Sequence, residues 1–390
     1  MSGKAVALVG VLAAGMLVAC GSGKTEITVG LFGDHGYADL FAEYEQAHPD
    51  IDIVERVAPH AQHHDDLAAH LAGEEGAADV EAVDAELISR FTATPEHFVD
   101  LNSAGAFQRR WLDWAWTASL SRDGRQIGYA AEVGGLALCY RAELVDAPDW
   151  PTWEAYVEAG RRFQAQAPED VRWMDGAATL LDAIIDQAPV GYHDAQDAVV
   201  VDTNPDIARA WAVTTAAVDA DLSAGLSPGT EQWTEGLKQG RFATILCSAS
   251  QLAAVRDAGG WGVVAVPGKA GNRGGSYLTV PAQGDETEAA VALADWLTAP
   301  EQQARRFARH GRIPSTPSVY GEQSLAGRTD PALGDARVGV LFTEAAQALK
   351  PQYRGPDAAA VQTALDAAVQ RVEQGQAPDE SWARLLTDLT

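Results

Sequence analysis

The sequence predicts an α/β fold built on a parallel sheet, in a chain long enough to form two lobes. Three observations carry this. Short alternating runs and helical runs take turns over the first third of the chain. The apolar runs beyond residue 19 are all too short to cross a bilayer. The 390 residues supply enough side chains for two separate cores.

The elements follow in order. "ITVGLF" (27–32) alternates polar and apolar residues as a strand does. "YADLFAEYEQAH" places Leu40, Phe41 and Tyr44 at helical spacing, and Pro49 marks its end. "IDIVERV" is a second strand, "HDDLAAHLAG" a short helix closed by Gly73, and "ADVEAV" a third strand. This βαβαβ order implies parallel strands with helices on their faces. In such sheets ligands sit beyond the carboxyl ends of the strands, here "GDHGY" (33–37) and "VDAEL" (83–87). "QIGYAAEVGGLALCYR" reads as two extended pieces joined at Gly134-Gly135. "TWEAYVEAGRRFQAQ" and "DIARAWAVTTAAV" are helical, and "GRFATILCS" and "WGVVAVPG" are strands. "ETEAAVALADWLTAPEQQARRFARHG" reads as one long amphipathic helix, "RIPSTPSVYG" as an extended crossing, and "AAAVQTALDAAVQRVEQG" as a helix near the end.

"GSGKT" at 21–25 has the ending of a phosphate-binding loop, but Val18 stands where the first glycine is required and a strand, not a helix, follows. The upstream stretch explains it better. Lys4, the apolar run from Ala5 to Ala19 and the small residues near its end form a secretory signal peptide. Leu17-Val18-Ala19-Cys20 resembles a bacterial lipobox, with Cys20 as the lipidated residue and "GSGKTE" as a tether. The formal net charge of −27 argues against nucleic acid or anionic lipid as a partner. Cys139 and Cys247 remain as an even pair outside the cytoplasm, either bridged or present as two buried thiols. No zinc-ligand spacing, nucleophile elbow or H-E-x-x-H occurs.

Eight segments in order, "GDHGY", "LAGEEGAADVEAVD", "EVGGLALCYR", "PTWEAYVEAGRRF", "GRFATILC", "VPGKAGNRGGSYLTVP", "WLTAPEQQARRFARHGRIPS" and "VEQGQAPDESWARLL", together resemble the family-1 extracellular solute-binding proteins. These are sugar-binding lipoproteins of bacterial ABC importers, and the nearest likeness is to actinobacterial binders of the cellobiose type. The resemblance implies a two-lobe periplasmic-binding-protein-like α/β fold with hinge crossings and a central ligand cleft. It implies residues 1–20 as the signal peptide, 21–132 plus 275–320 as one lobe, and 133–274 plus 321–390 as the other. It also implies a monomer on the outer face of the cell membrane, held there by lipid. Such a protein passes a di- or oligosaccharide to permease subunits by hinge closure. It has no cofactor and no catalytic residue.

The resemblance places Asp34 and His35 of "GDHGY" and Asp84 and Glu86 after the third strand at the ligand. It adds Glu132 at the lobe junction, Asp175 and Tyr277. Asp34 reads equally as a helix N-cap. Trp111, Trp114 and Trp116, in "RRWLDWAW", are candidate stacking platforms, with Trp116 taken as the ligand contact, whereas Trp153, Trp211 and Trp296 lie on apolar helix faces and read as core. Ser250 and Arg273 stand where similar proteins often carry Trp. Exchanging two platforms for a guanidinium implies a positive, donor-rich cleft and a sugar with an acidic group, such as a uronic acid. Arg273 paired with a carboxylate across the cleft is the other reading. "PHAQHHDDLAAH" holds His60, His63, His64 and His70, a density that suits metal capture. The resemblance instead makes this a solvated helix away from the cleft. A glycosidase is the remaining alternative, because the many Asp and Glu residues permit a carboxylate pair.

Overall fold

The computed structural model describes residues 23–390 apart from 104, 106, 107, 147 and 148. The expected signal peptide and lipidated Cys20 lie outside the described residues. The first lobe is organised on strands β1 (Thr25–Phe32), β2 (Ile51–Ala58), β3 (Val80–Asp84), β4 (Gly128–Val133) and, from far along the chain, β9 (Gly275–Thr279), in the order β2-β1-β3-β9-β4. β1 runs parallel to β2 and β3, so the βαβαβ expectation holds, while β9 is antiparallel to both neighbours. The second lobe is organised on β5 (Ala137–Arg141), β6 (Arg172–Met174), β7 (Phe242–Cys247) and β8 (Trp261–Ala265), in the order β6-β7-β5-β8.

The elements form for local reasons. Thr152 caps the helix Trp153–Gln164 through the Ala155 amide, and Asn204 with Pro205 opens Pro205–Asp219. The stretch 286–311 is two helices, Thr287–Leu297 and Pro300–His310, rather than one. Pro300 cannot donate to a continuing helix, and Ala299 before it is extended. The helix expected at 64–73 starts earlier, at His60, directly after Pro59. Trp153 and Trp211 are core residues and Trp296 packs against the core.

The lobes meet where β4 ends at Val133 and β5 begins at Ala137, beside the returning segment that enters β9. The two crossings pair backbone to backbone: the Gly134 amide donates to the Gly274 carbonyl at 3.2 Å and the Arg273 amide to the Gly135 carbonyl at 3.2 Å. A Cβ on Gly134 would stand 1.6 Å from the Arg273 carbonyl oxygen. Only glycine permits that approach. The apolar core of the first lobe continues through Phe307, Val338 and Phe342 under one face of the second sheet, and a separate cluster covers the other face.

Cys139 on β5 and Cys247 on β7 form a disulfide that closes a loop of 108 residues. Pairing sets Ala137 opposite Cys247 and Cys139 opposite Ile245, so the bridge joins diagonal neighbours on one face of the sheet. It ties the strand leaving the hinge to the strand that ends beside it, where the Ala249 amide donates to the Gly134 carbonyl. The double substitution Cys139→Ala/Cys247→Ala is expected to cost about 2–5 kcal/mol of stability, measured by denaturant unfolding. Alkylation without reductant, followed by mass measurement, should leave both residues unmodified.

Candidate functional site: the cleft between the lobes

A cavity of about 290 Å³ lies between the lobes. The first lobe supplies Asp84 and Glu86 from the carboxyl end of β3, His60 from the start of its helix, Trp114 and Tyr277. The hinge supplies Asn272 and Arg273. The second lobe supplies two helices whose i, i+4 spacing turns polar pairs inward: Asp182 and Asp186 on Ala178–Asp186, and Gln362 and Asp366 on Ala358–Glu373. Gln362 donates to Asp182 and, at 3.2 Å, to Asp366, while the Tyr192 hydroxyl donates to the Gln362 carbonyl oxygen. Arg354 pairs with Asp186 at 2.6 Å and His60 with Asp84 at 3.2 Å.

The carboxylates outnumber their partners. Burial, and then the neighbouring Asp366, push Asp182 well above the usual carboxylate range. Burial also raises Asp366, and it raises Asp186 against the pull of Arg354. Glu86 is recessed in the cleft yet reachable by water; burial and Asp84 raise it while Arg273 opposes. His60 is raised by its hydrogen bond to Asp84. Carboxyl groups with a free face toward a cavity offer acceptors to ligand hydroxyls and, where the raised proton affinity retains a proton, a donor as well.

A wider cavity of about 760 Å³ adjoins the first and shares Asp84, Arg273 and Gly274 with it, so the two are halves of one cleft. Its lining includes Asp34, His35, Glu132, Ser250, Arg256 and Arg312. Beneath it lies Arg306, 2% exposed. Its guanidinium donates to the His35 carbonyl at 2.7 and 3.1 Å, to the Ala131 carbonyl at 3.1 Å and to Glu132 at 2.6 Å, and stacks 4.2 Å over the Tyr37 ring. Burial alone would raise the Glu132 carboxyl, but Arg306 and Arg312 outweigh it and hold the group below the usual range. Burial presses His35 down to about 4, leaving a neutral ring whose Nδ1 has no partner among the described residues.

The chain can be set beside known proteins at this point. Residues 39–333 match the bacterial extracellular solute-binding protein model. The chain belongs to that family. A solved structure described as an extracellular solute-binding protein of family 1 is 36% identical, with 93% of this chain and 98% of that one covered and a TM-score of 0.89. The sugar-binding protein MalE of Xanthomonas citri shares the fold at 18% identity, covering 93% and 95% of the two chains with a TM-score of 0.78. A curated relative, the arabinooligosaccharide-binding protein of Bacillus subtilis (strain 168), is 26% identical over 198 residues, 47% of this chain and 46% of its own length. The chain thus matches just under half the length of that relative.

In this solute-binding protein the residues singled out from sequence fall into four groups. Asp34, His35, Glu132 and Ser250 line the wider half, Glu86 and Tyr277 the narrower half, and Asp84 and Arg273 both. Trp116 and Asp175 line neither. Trp116 is 7% exposed and stacks on Trp111 at 5.4 Å. Two steps along a helix turn a side chain by about 200°, so Trp114, not Trp116, faces the ligand space. Asp175 is buried under the second lobe, accepts from the Trp233 indole at 2.7 Å and is pushed up to about 6 by burial. Asp34 does not cap the following helix; its carboxylate accepts from the Gly36 amide at 2.7 Å, and Tyr37 occupies the cap position.

Two expectations are corrected by the side chains. The narrower half of the cleft is not positive and donor-rich, because the second-lobe helices bring in Asp182, Asp186 and Asp366, whereas Arg256, Arg309, Arg312 and Arg328 gather in the wider half. The histidine-rich helix is not a solvated face away from the cleft: His60 lines the cavity, and His63 and His64 are buried. Strand β3 engages one nitrogen of each ring, since His63 Nε2 bonds the Ala82 carbonyl at 2.7 Å and His64 Nε2 accepts from the Asp84 amide at 3.0 Å. Among the described residues no three His, Cys, Asp or Glu side chains converge to hold a metal ion. Sequence reading missed Asp182, Asp186, Tyr192, Arg354, Gln362 and Asp366. A signal existed in "LLDAIID", where acids interrupt an otherwise apolar helix face.

Burial lowers His64 from 6.5 to about 4, as it does His35, with the hydrogen bond to His60 opposing in the case of His64. A depressed folded-state value means that the unfolded chain binds protons first. The stability linked to these rings is therefore present above 6.5 and lost as pH falls toward 4. Glu81 runs the other way: burial raises it from 4.5 to about 7, so its contribution is lost as pH rises through that value. Proton NMR titration should show His64 and His35 charging well below His60. His64 titrating above His60 would contradict the buried geometry.

Proposed function

We propose that the protein captures a neutral di- or oligosaccharide in the interlobe cleft, closes on it by hinge motion, and delivers it to the transmembrane subunits of an ABC importer. The observation that carries this reading is the facing of two polar helices against the β3 end across a cavity that also holds the Trp114 and Tyr192 rings. Hydroxyls find carboxylate, amide and guanidinium partners there, and C–H faces find aromatic ones. The sugar ligands named for MalE and the Bacillus relative agree with it. The carboxylate surplus favours a neutral sugar over a uronate. Arg273 then serves as one donor among several acceptors. The protein turns nothing over, needs no cofactor and acts as a monomer.

The natural place of action is outside the cytoplasm, where the disulfide is stable. No helix among the described residues is long and apolar enough to cross a membrane, and anchorage is assigned to a lipid on Cys20. Cys20→Ser is expected to move the protein from the membrane fraction into the medium. Unchanged fractionation would count against the anchor.

A melting-temperature screen of di- to tetrasaccharides, neutral and uronate forms side by side, tests the ligand class. A ligand at a hundred times its Kd adds about 2.7 kcal/mol. Asp182→Asn should weaken the neutral sugar by about 0.5–1.5 kcal/mol, the range for one net hydrogen bond. A larger shift with uronates, lost on Arg273→Ala, would return the ligand to the acidic class. No shift with any sugar would reject carbohydrate capture.

A further inference from the structure

The lobes touch at a point beyond the cavity that neither recognition nor the hinge requires. Arg122 belongs to the first lobe, four residues after cavity-lining Ala118. Asp197 belongs to the second lobe, a few residues beyond cavity-lining Tyr192. The Arg122 guanidinium pairs with the Asp197 carboxylate and donates to the Ala195 carbonyl at 2.7 Å. Asp197 also accepts from the Tyr353 hydroxyl, between cavity residues Gln352 and Arg354.

Both partners are carried on built turns. The Ser121 hydroxyl bonds Asp123 at 2.5 Å and accepts from the Arg125 amide at 2.9 Å, and Gly124 closes the turn with a φ of 86°. Asp194 accepts from the Gln196 and Ala198 amides at 2.8 and 3.0 Å, which leaves Asp197 in the left-handed region with a φ of 67°. A non-glycine residue in that region is uncommon, and here it presents a carboxylate to the opposite lobe. The Trp114 indole also bonds across the lobes, to the Ala346 carbonyl at 2.7 Å.

We propose that Arg122 and Asp197 form a clasp that holds the lobes closed at the outer end of the narrower half of the cleft. It sets how readily the closed form opens and, through that, how long a ligand stays. This goes beyond the reading of the ligand and does not depend on which sugar is bound. With the side chains 57% and 35% exposed, the clasp is weak alone and sensitive to salt. A contact of this size suits a cleft that must reopen.

The test needs no sugar. Single-molecule energy transfer is read between dyes on Asp65→Cys and Glu158→Cys, one exposed site on each lobe, in a Cys20→Ser background. Arg122→Ala is expected to lower the ratio of closed to open molecules about two- to fivefold at low ionic strength. Asp197→Asn, which tolerates the left-handed backbone, should do the same. The charge exchange Arg122→Asp/Asp197→Arg should recover part of the loss. Wild type should lose closed molecules as salt rises, and Arg122→Ala should not. An unchanged ratio in both single variants, or the absence of a closed population in wild type, overturns the clasp. Neither outcome bears on the sugar screen.

Discussion

Arg306 holds the ligand-facing end of the first lobe together. One buried guanidinium joins the loop after β1, the last residues of β4 and the Tyr37 ring. Its charge is neutralised by Glu132, itself at the mouth of the hinge. Removing one member of a buried pair leaves the other charge stranded, which costs far more than an exposed pair gains. The wider half of the cleft therefore inherits its shape from a residue that does not line it. His35 is placed there by its own carbonyl, which Arg306 fixes, and its buried ring packs edge-on to Phe32 at 4.7 Å.

The two halves of the cleft differ in how they handle charge. In the wider half Arg306 and Arg312 meet Glu132 and Arg256 meets Asp330, and Glu132 is held below the usual carboxylate range. In the narrower half Asp182, Asp186 and Asp366 come from two helices of the second lobe, Asp84 and Glu86 from the end of β3, and these acids are only partly matched by Arg354 and Arg273. The first arrangement resembles scaffolding with a polar lining. The second leaves acceptors in search of donors, which is what a polyhydroxylated solute supplies.

The architecture was readable from sequence because it rests on local periodicity. Strand alternation in "ITVGLF" and "IDIVERV" and the glycine pair at 134–135 are visible without tertiary knowledge. The loop residues Asp34, His35, Asp84 and Glu86 also came within reach, since strand ends in a parallel sheet announce where solutes go. What was illegible depends on folding at a distance. Asp182 and Asp366 are far apart in the chain and meet only when two helices pack, so no window of sequence reveals their shared cavity. Trp114 and Trp116 differ only in helical phase, and a short helix gives too little pattern to choose between them. Pro300 was visible, yet the apolar rhythm on both sides disguised the break.

Arg273 carries two duties on separable parts of one residue. Its carbonyl oxygen lies where a side chain on Gly134 would have to go, and its amide bonds the Gly135 carbonyl, so the main chain belongs to the axle between the lobes. The residue lines both halves of the cleft, and its guanidinium charge acts on Glu86, Asp182 and Asp366 in the narrower one. Mechanical fidelity is thus written in the backbone and chemical taste in the guanidinium. A lineage could exchange the latter for an aromatic ring, or the reverse, and acquire a new diet without rebuilding the joint.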